Sequence, residues 1–342
     1  MSINSTNTPL FLRLPSLSVL DLVGKDAAAI LHNLTTNEIK SLEIGGPGVE
    51  TFVTNVKGKC IGHVMAFRSE QGYRLIGAPG QSEAIAAQMD RYTIREEAEP
   101  QIVDDNVHAY LVVGSLAGEE LGFQDLGDQA GSLPTYRVPW VDTPQGRRGL
   151  LLLAPTTTSL SGADIAGKLL LNAIVDKAEK DPQIERDQAM EVFHDLRVTA
   201  GYPWYGTDFN DSHLPQEVNR ETETISFTKG CYLGQETIAR LDALGQVQKK
   251  LVLWSSEDLT GEPLPAVDTK LFAGGEKAVG RLTSVARELP WGGTSDHVET
   301  REGARGGRVL ALGFARRSHF EVGSEASGAV ADKTFVARVE RT

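Results

Sequence analysis

The feature that most constrains this chain is a change of texture near residue 251. Beyond it, short apolar runs at 251–254, 278–286, 308–316 and 334–339 alternate with glycine-rich turns. Short strands bounded by such turns predict a separate small antiparallel β-domain, a sandwich or a barrel. Upstream the pattern is different. Helical spacing at 26–34, 83–92, 162–177 and 187–200 is interspersed with hairpin-like runs. The clearest hairpin pairs 50–56 with 61–67 across Lys57-Gly58-Lys59, and a third strand, 73–77, follows a turn at Glu70-Gln71-Gly72. Buried strands are expected at 108–113 and 149–153. There is no regular strand–helix–strand rhythm, so the expected class is α+β, with a boundary near residue 248 and a β-domain over 249–342. Residues 225–227 read as a strand end, Ser82 and Asp26 as helix caps, and 291–307 as an exposed loop.

Composition narrows the function classes. The chain has 342 residues, 40% of them apolar, and a formal net charge of −12. Phosphate backbones and anionic membranes need clustered positive charge, so a direct nucleic-acid or membrane binder is not expected. No stretch of 18 apolar residues occurs, and the first twenty residues lack a basic segment followed by an apolar run. The two cysteines, Cys60 and Cys231, make no disulfide framework. A reducing compartment, a bacterial cytoplasm, is the expectation. Two thiols also fall short of the four that hold an iron–sulfur cluster within one chain.

Cys231 stands in K-G-C-Y-L-G-Q-E, residues 229–236. Gly230 and Gly234 permit a sharp backbone path, and 235–241 can begin a helix with Glu236 in its first turn. A thiol ahead of a helix N-terminus and two residues from Lys229 is in a setting that favours thiolate. Gln235 offers amide donors and Tyr232 a stacking face. The opposing reading is a small buried residue at a strand-to-helix joint. His194 and His213 are the histidines nearest in sequence, and each reads as a surface or satisfied core side chain. Cys60 reads as packing in a hairpin strand.

Just upstream, Tyr202, Trp204 and Tyr205 cluster in a chain that is 6% aromatic. With Arg197, Asp208 and Glu217 they supply stacking faces and carboxylates for a flat polar heterocycle. An aromatic hinge beside a solvated acidic loop is the alternative.

The octapeptide, followed by Arg240, resembles the signature of the YgfZ-type folate-binding proteins, relatives of the T-protein (aminomethyltransferase) of the glycine cleavage system. The stretch V-G-K-D-A-A-A-I-L-H-N-L-T-T-N-E-I, with Thr36-Asn37, resembles that superfamily's opening helix and turn. T-N-V-K-G-K-C-I resembles its first hairpin. Arg197, Gly201, Pro203, Gly206 and Asp208 fit its R-x-x-x-G-x-P-x-x-G-x-D spacing, and Leu214–Glu217 supplies P-Q-E. The resemblance implies a ring of ferredoxin-like subdomains with a C-terminal antiparallel β-barrel around a folate pocket. It implies tetrahydrofolate as ligand, with Arg197, Tyr202, Trp204, Tyr205, Asp208 and Glu217 as contacts. It also implies a role in assembling, maintaining or repairing iron–sulfur clusters in client enzymes, tRNA-modifying ones included, through Cys231 and Lys229. Two departures stand out. The T-protein catalytic aspartate is expected where this chain has Ala84, beside Glu83, which leaves aminomethyl transfer without its carboxylate. Thr199 occupies the place of a pterin-binding glutamate. A one-carbon transferase, or a scaffold that has lost folate, are the alternatives.

Overall fold

A computed structural model describes residues 10–14, 16–115, 134–144, 146–157, 186–245, 247–259, 262–288 and 308–341. In chain order the first elements are β1 (Leu10–Leu14), β2 (Ser18–Val23), α1 (Ala27–Leu34), β3 (Val49–Thr54), β4 (Cys60–Ser69), β5 (Gly72–Gly77), α2 (Ser82–Tyr92) and β6 (Glu99–Ile102). Next come β7 (Val107–Ser115), β8 (Thr135–Val138), β9 (Arg147–Pro155) and α3 (Arg186–Ala200). Three short helices follow: α4 (Pro215–Val218), α5 (Glu221–Thr224) and α6 (Gln235–Leu244). The last strands are β10 (Lys249–Ser256), β11 (Lys270–Phe272), β12 (Ala278–Arg287), β13 (Val309–Arg316), β14 (Glu325–Val330) and β15 (Lys333–Arg341).

The chain divides into two compact units. One comprises 1–16, 105–202 and 287–307; the other comprises 17–104, 203–286 and 308–342. In the first, an antiparallel sheet runs β1-β7-β9-β8. Leu12, Leu111, Leu151 and Tyr136 lie opposite one another across it. Helix α3 packs on β1. Arg147, almost fully buried, ties sheet to helix by donating to the carbonyls of Val141 (2.7 Å) and Leu196 (2.9 Å).

The second unit holds a five-stranded sheet, β3-β4-β5-β2-β6, and a closed barrel, β10-β13-β12-β11-β14-β15. Leu20, Leu75, Ala66 and Val49 form one row across four strands of the sheet. That row meets Ala27, Ile30, Leu31 and Leu34 of α1 and Ile85 and Met89 of α2. Each fully buried aliphatic side chain here contributes about 1.5–3 kcal/mol. The barrel packs Trp254, Leu271, Leu282 and Phe335 inside. Closure leaves no free strand edge.

Several local expectations need correction. Residues 225–227 form no strand, because Ile225 terminates the one-turn helix α5. Ser82 does not cap α2. It is the helix's first residue, and its hydroxyl donates to Asp104 instead (2.8 Å). Asp26 does stand at the N-cap of α1, its carbonyl accepting the Ala29 and Ile30 N–H groups (3.0 and 3.1 Å), but its carboxylate caps nothing there and accepts the Glu97 N–H instead (2.8 Å). The expected helix at 162–177 and the loop at 291–307 lie outside the described residues.

Candidate functional site

The signature segment follows α5 and ends in α6, and three earlier stretches of the chain hold it. The first is the end of α1 with the turn after it. Thr36 donates its hydroxyl to the Thr224 carbonyl (2.6 Å) and accepts the Ser226 N–H on its own carbonyl (3.0 Å). Asn37 donates its amide to Glu223 (2.8 Å) and Glu50 (2.9 Å) carbonyls. The second is β3, where Thr54 donates to the Leu233 carbonyl (2.6 Å), while the Leu233 N–H reaches back to Asn33 (2.8 Å). The third is the hairpin turn after β3. Gly234 has φ 82°, and a methyl group there would lie 2.5 Å from the Asn55 oxygen and 2.6 Å from the Gly58 Cα. Only glycine fits both the backbone angle and the approach. Residues resembling three separate family stretches therefore come together around one loop.

Lys229 points into this frame. It is buried, and its Nζ donates to the carbonyls of His32, Thr35 and Asn37, each at 2.7 Å. An ammonium has three protons, and all three are taken by carbonyls at the C-terminal end of α1, where the helix dipole also favours a cation. Burial pushes its pKa down to about 7, with Glu38 pulling the other way. It also lies 5.1 Å from the centre of the Tyr232 ring. Tyr232 packs with Ile225 and Ile238, and burial pushes its phenol up to about 12. Lys229 thus anchors the loop, with its donors spent on backbone.

With that anchor set, Cys231 is left exposed, together with Gly230, Glu236 and Arg240. Gln235 opens α6, its N–H donating to the Tyr232 carbonyl (3.2 Å). Cys60 is the opposite case: it is buried in β4, and burial pushes its thiol well up. The sequence left open whether Cys231 was reactive or packing, and its exposure removes the packing alternative.

His32 is the residue that sequence reasoning missed. It lies 199 positions from Cys231 in sequence, so only the fold reveals it. Its ring is 5% exposed, and Nδ1 lies 3.3 Å from Glu38 Oε1 without a hydrogen bond. A methyl on Gly230 would sit 3.8 Å from its Nε2. Burial first, then the charge of Lys229, lowers its pKa. The two histidines considered from sequence have other partners. His194 Nδ1 is 3.2 Å from Arg197 Nη2. His213 stacks on Phe314 (4.8 Å), and burial lowers its pKa to about 4.

The six candidate folate contacts divide between the two units. Arg197 and Tyr202 belong to the first, both buried, with Arg197 donating to the Tyr202 carbonyl (3.2 Å). Trp204, Tyr205, Asp208 and Glu217 belong to the second. Asp208 is buried and accepts the Trp204 N–H (2.8 Å) and the hydroxyls of Thr283 (2.7 Å) and Ser284 (2.6 Å), which joins its loop to β12. Glu217 accepts the Leu214 N–H (2.9 Å) and lies 3.9 Å from Lys249. Tyr205 meets Phe209 edge-on at 5.4 Å, and Phe209 in turn meets His63 and Phe52. Thr199 donates its hydroxyl to Asp195 one helical turn back (2.8 Å). Glu83 and Ala84 are exposed on α2. Among the described residues no three His, Cys, Asp or Glu side chains gather as metal ligands, and no helix is long and apolar enough to cross a membrane.

Behind the frame, Glu50 on β3 is buried. Its carboxylate accepts both Nε and Nη2 of Arg220 (2.5 Å each) and lies 2.6 Å from His63 Nε2. Burial alone would raise its pKa; Arg220 and His63 more than offset this and bring it to about 2.

No protein-family model matches the chain. Among curated proteins, the "tRNA-modifying protein YgfZ" of Colwellia psychrerythraea is 33% identical over 147 residues, 41% of this chain and 43% of that protein. The proteins of the same name from Sodalis glossinidius and Serratia proteamaculans are each 26% identical, over 79% and 83% of this chain and 78% and 82% of theirs. Among solved structures, the glycine cleavage system aminomethyltransferase T of Bartonella henselae superposes with a TM-score of 0.72. It covers 98% of this chain and 86% of that one at 15% identity. The fold is that of the T-protein, with mixed α/β sheets and a closed six-stranded barrel.

Proposed function

We propose that this chain, similar to the YgfZ proteins and built on the T-protein fold, is a tetrahydrofolate-binding accessory protein for iron–sulfur enzymes, tRNA-modifying ones among them. Cys231 is the working group. It acts as a thiol that meets an electrophile, a cluster or a client protein, and it operates in the cytoplasm. The observation that carries this reading is the exposure of Cys231 on a loop whose backbone is gripped from three sides. A loop that only filled space would not need that frame, and a flexible one could not present a thiol in a fixed direction.

The test is complementation of a bacterial strain lacking its own YgfZ-type protein, with cluster-enzyme activities as readout. Wild type is expected to restore them, and Cys231→Ala to restore little. Full rescue by Cys231→Ala defeats the reading.

One set of contacts favours a second reading, a scaffold without folate. Arg197, Asp208, Glu217 and Thr199 each have hydrogen bonds within the protein. Thermal unfolding with tetrahydrofolate separates the two. Ligand at a hundred times its Kd stabilises by about 2.7 kcal/mol, a rise of several degrees. No shift at saturation selects the scaffold. Aminomethyl transfer has no support from Glu83 or Ala84, both solvent-facing on α2.

A further inference from the structure

We propose that His32 and Glu38 form an acid–base relay to the Cys231 thiol, in which the Glu38 carboxylate orients the imidazole through Nδ1 and Nε2 takes the thiol proton. This rests on the reading of Cys231 as the working group and adds the residues that activate it.

Three observations carry the proposal. His32 is 95% covered, yet Nδ1 has no hydrogen bond, an arrangement that costs free energy unless a partner forms when the site works. The nearest candidate is the Glu38 carboxylate, 3.3 Å away, with its Oε1 already held by the Lys40 N–H (2.9 Å). On the other side, Nε2 faces Gly230, where an added methyl would be 3.8 Å distant, and Cys231 is the next residue. The ring and the loop are also fixed to one another, because Lys229 grips the carbonyl of His32 itself.

A nucleophilic thiol, a base beside it and an acid orienting that base is an arrangement known from unrelated folds. A proton donated from Nδ1 to the carboxylate leaves Nε2 as acceptor. The charged groups facing the imidazole are Glu38 and Lys40 from the turn after α1, and Lys229 from the signature loop. Burial first, then the charge of Lys229, lowers the pKa of the ring, against the opposite pull of Glu38. In the step, the S–H bond breaks and an Nε2–H bond forms, leaving a thiolate beside an imidazolium. The thiolate then attacks a soft electrophile. With iodoacetamide a sulfur–carbon bond forms, iodide leaves, and the proton passes from His32 to water.

The test is the pH dependence of iodoacetamide alkylation on the full chain. Cys231→Ala supplies the background from buried Cys60. His32→Gln is expected to slow alkylation at pH 7 by about tenfold and to move the midpoint of its pH profile upward relative to wild type. Glu38→Gln should move it the same way by less. Identical rates and midpoints in wild type and both variants overturn the relay. If His32→Gln does not fold, Glu38→Gln decides alone, since its side chain is 38% exposed and tolerates the change. Alkylation is read on the isolated protein, so the relay can fail while complementation by wild type stands, and the reverse.

Discussion

Gly234 and Gly230 look alike in the signature and differ in the structure. Gly234 is left-handed and pressed against the backbone of the hairpin turn, whereas a methyl at Gly230 meets nothing nearer than 3.8 Å. Gly234→Ala is expected to cost about 2–5 kcal/mol from backbone strain and overpacking. Gly230→Ala should change stability by under about 1 kcal/mol. Urea midpoints for the two variants check this, and equal midpoints would contradict it. Lys229→Met leaves three carbonyls without their donor, and a loss of about 3 kcal/mol is expected. Sequence spacing places Lys229 beside Cys231 but cannot show where its ammonium goes. Two residues of separation fit either direction, and only the burial of the loop's inner side sends it to α1.

Among the elements, β3 links most of the site. It carries Glu50, Phe52 and Thr54, which meet Arg220, the aromatic cluster and the signature loop in turn. Glu50 makes the fold sensitive to acid. Its folded pKa, about 2, lies below the ordinary carboxylate value, so the unfolded chain binds the proton more readily. Its stabilisation is therefore full above about pH 4.5 and is lost as pH falls towards 2. Stability of wild type should fall through that window, and Glu50→Gln should be weaker at neutral pH with a flatter acid limb. Arg220→Leu strands a buried carboxylate and is expected to cost about 3–5 kcal/mol at pH 7. Melting curves from pH 2 to 7 measure both. The elements legible in sequence were those with plain periodicity, such as α3 and the hairpin of β3 and β4. Helices α4 and α5 are four residues each, too short for any period to register, and β11 is only three.

For the molecule as a whole, charge sets what it can meet. A net −12 gives no general attraction to a polyanion. The protein is expected to pass through a heparin column at about 150 mM salt and to leave transfer RNA unbound in a shift assay. Retention on both would revise the proposal that it reaches tRNA modification through protein clients. A small β-domain was legible because its short strands alternate with glycine turns, but that texture left sandwich and barrel open, and it is the pairing of β10 with both β13 and β15 that closes the barrel. The candidate site was half visible. Motif residues were identified as such, but their partners lie some 190 positions upstream, a separation no local pattern spans.

That separation governs how the molecule is born. Translation delivers the end of α1 long before Lys229, so on the ribosome three carbonyl oxygens wait for a cation that has not yet been made. The docking of the cysteine loop is then a late event in biogenesis, with a long closure to complete. A nascent chain halted anywhere before residue 229 would carry that helix end without the cation that closes it.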